Sequence, residues 1–300
     1  MTSKDTHARS NKIILRKNSK TFAWATALLP KQVAWDVRAL YAVCRSIDDF
    51  ADELGQGMGQ DSLMALRQEV RSNATIGLAG LVKDLRESCN LDVQALEHLI
   101  YGVELDLNHA YMETEEALIQ YAYYVAGTVG LMMCNVMRVL DPAAQKHAID
   151  LGIAMQLTNI ARDIFEDAGM DRRYLPTTWL NLSPDAIRAP TETQRALIET
   201  ATRRLLDLAE AYYQSGFSGL RYIPKHSRLG VAVAAKLYRE IGQKIMRQGY
   251  AYTTKRTYVS VWHKIRISFI TAVRLNIISA PRDDNPTLRR PLWAILDGSH

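Results

Sequence analysis

Cysteine is scarce in this chain, and nothing about its spacing suggests a partner: Cys44, Cys89 and Cys134 are odd in number and form no CxxC pair. That argues against a disulfide frame or a zinc site and favours a reducing compartment. Long apolar runs are also missing. The N-terminus has no apolar segment of the signal-peptide kind, and no uninterrupted apolar stretch of about 18 residues or more occurs, so neither a signal peptide nor a transmembrane span is expected. Alternating polar and apolar runs of strand type are scarce, which points to an all-α fold. A GxGxxG cradle is absent: Gly55-Gln56-Gly57-Met58-Gly59 follows no strand and lacks that order, and is expected to be a flexible loop. No stretch resembles an inter-domain linker. The 300 residues read as one domain, with 1–11 frayed and 279–300 a basic tail, in a protein expected in the cytoplasm.

Hydrophobic residues make up 48% and charged ones 23%, an ordinary soluble balance, but the net charge of +5 is unevenly spread. Residues 247–300 hold nine Lys or Arg (Arg247, Lys255, Arg256, Lys264, Arg266, Arg274, Arg282, Arg289, Arg290) against Asp283, Asp284 and Asp297, with Trp262, Phe269 and Trp293 interleaved. This region has two readings, peripheral contact with an anionic membrane surface or a basic solvated end. Nucleic acid is not an expected partner, because the basic residues match no recognition module. No obligate protein partner is evident.

What the chain does have is apolar helices carrying ligand-type side chains. Residues 31–54 read as a long amphipathic helix, with shorter helices over 61–72, 76–88 and 92–108. Residues 115–139 read as a buried helix. Gly127 and Gly130 within it cost about 1 kcal/mol each relative to alanine, a cost explained either by close packing or by room for a ligand. Asp141-Pro142 starts a helix that Gly169 ends, and helices over 190–215, 228–250 and 260–278 follow.

Within the helix begun at Asp141-Pro142, Gln156, Asn159, Asp163 and Asp167 recur at spacings of three, four and four and share one face. The first helix repeats the device with Tyr41, Arg45, Asp48 and Asp52, spaced four, three and four. Aspartates one turn apart repel unless a cation lies between them, and all-oxygen donors suit Mg²⁺ or Mn²⁺ rather than zinc. Two such faces suggest one site between two helices. Arg45, Arg162, Arg172 and Arg256 around it suit a polyanion such as a diphosphate, and walls of Phe, Tyr, Ala, Met and Gly suit a hydrocarbon. Lys20, ahead of Phe22, reads either as a surface lysine or as an anion ligand.

These segments resemble the squalene and phytoene synthases over about residues 13–275. Tyr41-Ala42-Val43-Cys44-Arg45-Ser46-Ile47-Asp48-Asp49 with Asp52 is similar to the family's first aspartate-rich motif, and Gly152, Gln156, Asn159, Arg162, Asp163 and Asp167 to the second. Tyr121 with Val125-Ala126-Gly127-Thr128-Val129-Gly130 matches the central signature. Arg172 with Tyr174-Leu175-Pro176, and Lys255-Arg256-Thr257-Tyr258-Val259, complete the set. The resemblance implies an all-α isoprenoid synthase fold with a central cavity, and head-to-head condensation of two prenyl diphosphates through a cyclopropylcarbinyl diphosphate. It implies metal binding by Asp48, Asp52, Asn159, Asp163 and Asp167. Substrate or diphosphate would be held by Lys20, Phe22, Tyr41, Arg45, Ala126, Gly130, Gln156, Arg162, Arg172, Tyr238 and Arg256, and Tyr121 would assist proton removal or guide the cation. In one departure, many relatives carry Arg-Tyr shortly after an Asp-Leu where this chain has Tyr111-Met112 after Asp106-Leu107, so that segment is left out of the site.

Chain length is expected to depend on bulk along the tail channel. Thr26, one turn from Phe22 and flanked by Ala25 and Ala27, leaves room for a longer tail. The expectation is phytoene synthase acting on geranylgeranyl diphosphate, with Mg²⁺ and without NADPH; the missing Rossmann signature does not decide the reductant. The alternatives are a C15-specific dehydrosqualene, presqualene diphosphate or squalene synthase, and, more remotely, a non-catalytic isoprenoid-binding homologue. A head-to-tail elongator should show DDxxD in both motifs, which Asp163-Ile164-Phe165-Glu166-Asp167 does not fit.

Overall fold

The computed structural model describes residues 20–107, 111–139, 141–249, 260–274 and 285–297. They form α1 (Lys20–Thr26), α2 (Lys31–Glu53), α3 (Gly55–Arg71), α4 (Gly77–Cys89), α5 (Val93–Leu107) and α6 (Glu115–Ala122). A π-helical turn (Tyr123–Gly127) leads into α7 (Thr128–Val136), followed by α8 (Pro142–Gly169), α9 (Pro184–Arg188) and α10 (Glu192–Ser218). A 3₁₀ turn (Gly219–Tyr222), α11 (Lys225–Arg247), α12 (Val261–Arg274), a second 3₁₀ segment (Pro286–Leu292) and α13 (Trp293–Leu296) complete the order. Among the described residues there is no β-strand; an isolated bridge pairs Tyr111 with Arg173.

The longest helix, α8, sits at the centre, and local chemistry fixes its start. Pro142 occupies the first turn and the Asp141 carboxylate accepts the Ala143 N–H at 2.8 Å. Its buried Ile153, Ala154, Leu157, Ile160 and Ala161 pack against α10, α11 and the π turn in one apolar core. A second core joins α2, α3, α4, α5 and α7 through Leu40, Ile47, Leu63, Leu85, Leu96, Leu99 and Met132. The cavity described below lies where the two cores meet. The run Glu115–Val136 is long and apolar enough to cross a membrane by length and composition, and half of its apolar stretch is buried here between α5 and α8.

Two sequence expectations are corrected. Gly55–Gly59 is the opening of helix α3 and not a loop: Gly55, at φ +71°, makes the break from α2, and a Cβ on Gly59 would lie 2.5 Å from the Phe50 carbonyl oxygen. These glycines let α3 fold back tightly on α2. The C-terminal residues 286–297 are likewise not a solvated tail. Leu292 and Ile295 are buried, Tyr212 donates to the Leu288 carbonyl at 2.5 Å, Gln120 donates to that of Pro291 at 3.0 Å, and Arg289 forms a buried ion pair with Asp150. A few apolar residues at helical spacing outweigh the basic composition of this segment.

Candidate active site

A cavity of about 320 Å³ runs between α8 and the helices α1, α2, α7 and α11. On α8 its wall is Ala144, His147, Ala148, Leu151, Gly152, Met155, Gln156 and Asn159, one face of the helix. At the polar end stand Asp48, Tyr41, Gln156, Asn159 and Tyr238. Toward the other end the lining is apolar, with Ala126, Val129 and Gly130 on one side and Ala25, Thr26 and Leu29 on the other. The Phe22 ring stacks on Tyr41 with centroids 5.6 Å apart. Thr26 is turned inward with its hydroxyl bonded to the Phe22 carbonyl at 2.8 Å, so it presents a small wall.

Asp48 of the first face and Gln156 and Asn159 of the second line this polar end, while Asp52, Asp163 and Asp167 lie outside the cavity lining. Arg172, just past the second motif, donates to Asp52 of the first at 2.9 Å across 120 residues of chain. Asp106 stands between the faces: its carboxyl is pushed up to about 6 by burial and by Asp52, against the pull of Arg172 and of two tyrosine hydroxyls. Those hydroxyls donate to it from Tyr174 at 2.7 Å and from Tyr121 at 2.9 Å, and the two rings stack 4.9 Å apart. Asp106 therefore belongs to the site although the sequence reading left its segment out. The available signal was an acid three residues beyond Val103 on the apolar stripe of α5. Tyr121, in contrast, is buried behind Asp106 and is not part of the cavity wall.

The arginines expected to hold diphosphate rest on aspartates. Arg45 pairs with Asp49 one turn on and lies 4.0 Å from Asp52. Arg162 grips Asp163 through two bonds of 2.8 and 2.5 Å. Lys20 opens α1, while Arg256 lies outside the described residues.

Burial pushes the Asp48 carboxyl up to about 7, with Asp52, Asp106 and Asp49 adding to the rise and Arg45 opposing it. Asp167 is likewise held well above the ordinary carboxylate range by burial and by Asp163. Such groups bind protons in the folded state that the unfolded chain has released. Their stabilising contribution is thus complete below 3.8 and is lost as pH rises toward 7. In metal-free buffer, Asp48→Asn is expected to flatten this loss of stability across that window, read from denaturant midpoints at stepped pH; an unchanged slope would contradict the assignment.

The donor set fits a hard divalent cation. It is all oxygen, its carboxylates are destabilised as bare anions, and the buried Oδ1 of Asn159 has no hydrogen-bond partner among the described residues. Among the described residues no three acidic, histidine or cysteine side chains converge to cage an ion.

Comparison with known proteins agrees with this architecture. The family model for squalene/phytoene synthase matches residues 15–263. The 15-cis-phytoene synthase of Enterobacter agglomerans is 35% identical over 266 residues, 83% of this chain and 89% of that protein. The phytoene synthase of Thermus thermophilus is 35% identical over 260 residues, 84% and 87% of the respective chains. Among solved structures, a dehydrosqualene synthase in complex with ligand superposes with a TM-score of 0.82 at 28% identity, covering 91% of this chain and 98% of that one. Squalene synthase HpnC from Alicyclobacillus acidocaldarius, at 23% identity, shares the fold with a TM-score of 0.71 over 83% of this chain and 97% of its own. The chain belongs to the squalene/phytoene synthase family, prenyltransferases that join two prenyl diphosphates head to head and typically employ a divalent metal.

Proposed function

We propose that the protein is a Mg²⁺-dependent phytoene synthase, condensing two geranylgeranyl diphosphates to phytoene in carotenoid biosynthesis. The depth of the cavity carries the choice of substrate. Its α8 wall runs from Asn159 to Ala144, which at 1.5 Å per residue is about 22 Å. The sixteen main-chain carbons of a C20 tail, advancing ~1.3 Å per bond, reach about 20 Å, and the twelve of a C15 tail only about 14 Å. Thr26 on the opposite wall, and the phytoene synthases among the relatives, support the same reading.

In this reading Asp48 and Asp52 on one face, and Asn159, Asp163 and Asp167 on the other, would hold the metal, which would supply charge neutralisation at the departing diphosphate. Arg45, Arg162 and Arg172 are held in reserve on Asp49, Asp163 and Asp52. These guanidiniums are the chain's own donors for the phosphate oxygens of the substrate. The allylic C–O bond breaks with its electron pair leaving on diphosphate, and the cation takes up the double bond of the second substrate. Loss of a proton gives the cyclopropylcarbinyl diphosphate (prephytoene diphosphate). Its ionisation, rearrangement and loss of a further proton give the C40 hydrocarbon. No electrons are gained overall, so no NADPH is required. The aromatic rings of Phe22, Tyr41 and Tyr238 line the cavity beside the cationic stages and exclude water.

The test is incubation of the purified protein with Mg²⁺ and geranylgeranyl or farnesyl diphosphate, with and without NADPH, and mass identification of the extract. A C40 hydrocarbon from the C20 substrate without NADPH is expected; products from farnesyl diphosphate alone would overturn the assignment.

The location proposed is the cytoplasm, at the face of an anionic membrane, with α12 as the contact. Trp262, Ile265, Phe269 and Val273, spaced three, four and four, are 82%, 43%, 70% and 55% exposed. Residues 241–282 contain eight Lys or Arg and no acid. The Trp24 indole donates to Ser268 at 3.0 Å and so ties α12 to α1, a wall of the cavity from which a hydrocarbon product must leave. The double substitution Trp262→Glu and Phe269→Glu is expected to cut flotation with anionic vesicles at least tenfold while turnover in detergent persists; undiminished flotation would exclude α12 as the contact.

A further inference from the structure

Near the inner end of the cavity stands a side chain of different chemistry from its walls. His147, in the second turn of α8, lines the cavity yet is only 3% exposed. Its ring stacks on Tyr222 with centroids 5.9 Å apart, and its Nδ1 lies 3.2 Å from the Ser215 hydroxyl oxygen. The Ser215 O–H is donated to Asp150 at 2.5 Å, so the Ser215 oxygen accepts from Nδ1, which carries the proton. Asp150 is fully buried and pairs with Arg289 of the C-terminal 3₁₀ segment. On the remaining side the backbone of Gly219 comes so close that a Cβ there would lie 2.4 Å from the His147 Cβ. The imidazole is fixed from several directions and cannot swing aside without breaking a buried hydrogen-bonded chain.

We propose that His147 is the floor of the tail channel and sets the longest prenyl chain the enzyme accepts, with Ser215, Asp150 and Arg289 holding it in place. The assignment rests on the reading of the cavity as a prenyl channel. From Asn159 to His147 there are twelve residues of α8, about 18 Å of helix, close to the reach of a C20 tail. The next prenyl unit runs into the imidazole. Past the ring the α8 lining continues by one turn to Ala144, so removal of the ring opens about 4.5 Å more of channel, close to the length of one prenyl unit. The C-terminal segment thereby acts on specificity from outside the cavity, through a positioning chain that ends at one side chain.

The experiment measures kcat/KM for C15, C20 and C25 prenyl diphosphates with the full-length protein and Mg²⁺. His147→Ala is expected to raise the C25 to C20 ratio at least tenfold, and Ser215→Ala to raise it by a smaller factor, because a freed ring yields more easily than a fixed one. Ala144→Leu, which fills the same end of the channel, is expected to raise the C15 to C20 ratio and serves if His147→Ala does not fold. A role in stability alone would lower all three values together and leave the ratios fixed, and fixed ratios in folded variants overturn the proposal. Wild-type turnover of C20 with fixed ratios in the variants would remove the floor assignment and keep the function. Wild-type turnover of C15 alone would remove both.

Discussion

Asp48→Asn is expected to lower turnover of the C20 substrate about a thousandfold or more while the helical content stays at the wild-type level. Asp48 is the carboxylate of the first motif that lines the cavity. Neutralising charge on a leaving diphosphate is worth several kcal/mol, and each ~1.4 kcal/mol is a factor of ten in rate. Asparagine keeps the shape and an oxygen donor but removes the charge that competes for the ion. Stability should move the other way. The Asp48 carboxyl is pushed up to about 7 by burial first and then by Asp52, Asp106 and Asp49, so the substitution relieves repulsion in the metal-free protein. Asp163→Asn should lose activity to a similar degree but also lose stability, because it breaks the two-bond pairing of the largely buried Arg162. Steady-state rates beside thermal melts of the two variants separate these cases. Turnover within tenfold of wild type in Asp48→Asn would sink the metal assignment.

The difference between these two aspartates marks where the sequence stops being informative. Helical spacing alone places Asp48 and Asp52 on one face and Asn159, Asp163 and Asp167 on another, because the 3.6-residue period is a property of the chain. Which arginine rests on which aspartate depends on how two helices approach, and no spacing encodes it. Arg172 reaches Asp52, and Arg162 turns to its own neighbour Asp163. Asp106 escaped notice for the same reason: its importance comes from Tyr121 and Tyr174 converging on it from two other segments. The all-α class was legible because most helices are long and strongly periodic. The C-terminal turn was not, since Leu292 and Ile295 need the groove beside Tyr212 and Gln120 to give their short pattern meaning. Gly55 was misread because a glycine-rich opening suggests a loop by composition, whereas here it allows a close helix–helix return.

Gly152→Ala is expected to be among the most damaging single-methyl changes in the molecule, and it resolves why glycines interrupt the central helices. A Cβ at Gly152 would lie 2.2 Å from the Ala126 carbonyl oxygen and 3.0 Å from the Gly127 Cα. A Cβ at Gly130 would lie 2.2 Å from the Ala148 carbonyl oxygen. The two contacts are reciprocal across α8 and the segment of the π turn and α7, and the obstructing atoms are backbone, so no rotamer can absorb the methyl. The helices must separate by about 1 Å or more, at an overpacking cost of about 3 kcal/mol, offset by roughly 1 kcal/mol of better helix propensity. The net loss of about 2 kcal/mol should lower the melting temperature by about 3 °C in a chain of this size. Gly152 and Gly130 also line the cavity, Gly152 one turn from Gln156. Displacement by about 1 Å beside the reacting carbons is expected to cost about a hundredfold in kcat/KM. Close packing and room for a ligand are therefore one requirement at these positions. Gly57→Ala supplies the contrast, since nothing lies within 4 Å of a Cβ there and helix propensity alone predicts a neutral or stabilising change of up to about 1 kcal/mol. Equal melting temperatures for the two alanine variants would mean that the helix pair has slack the structure does not contain.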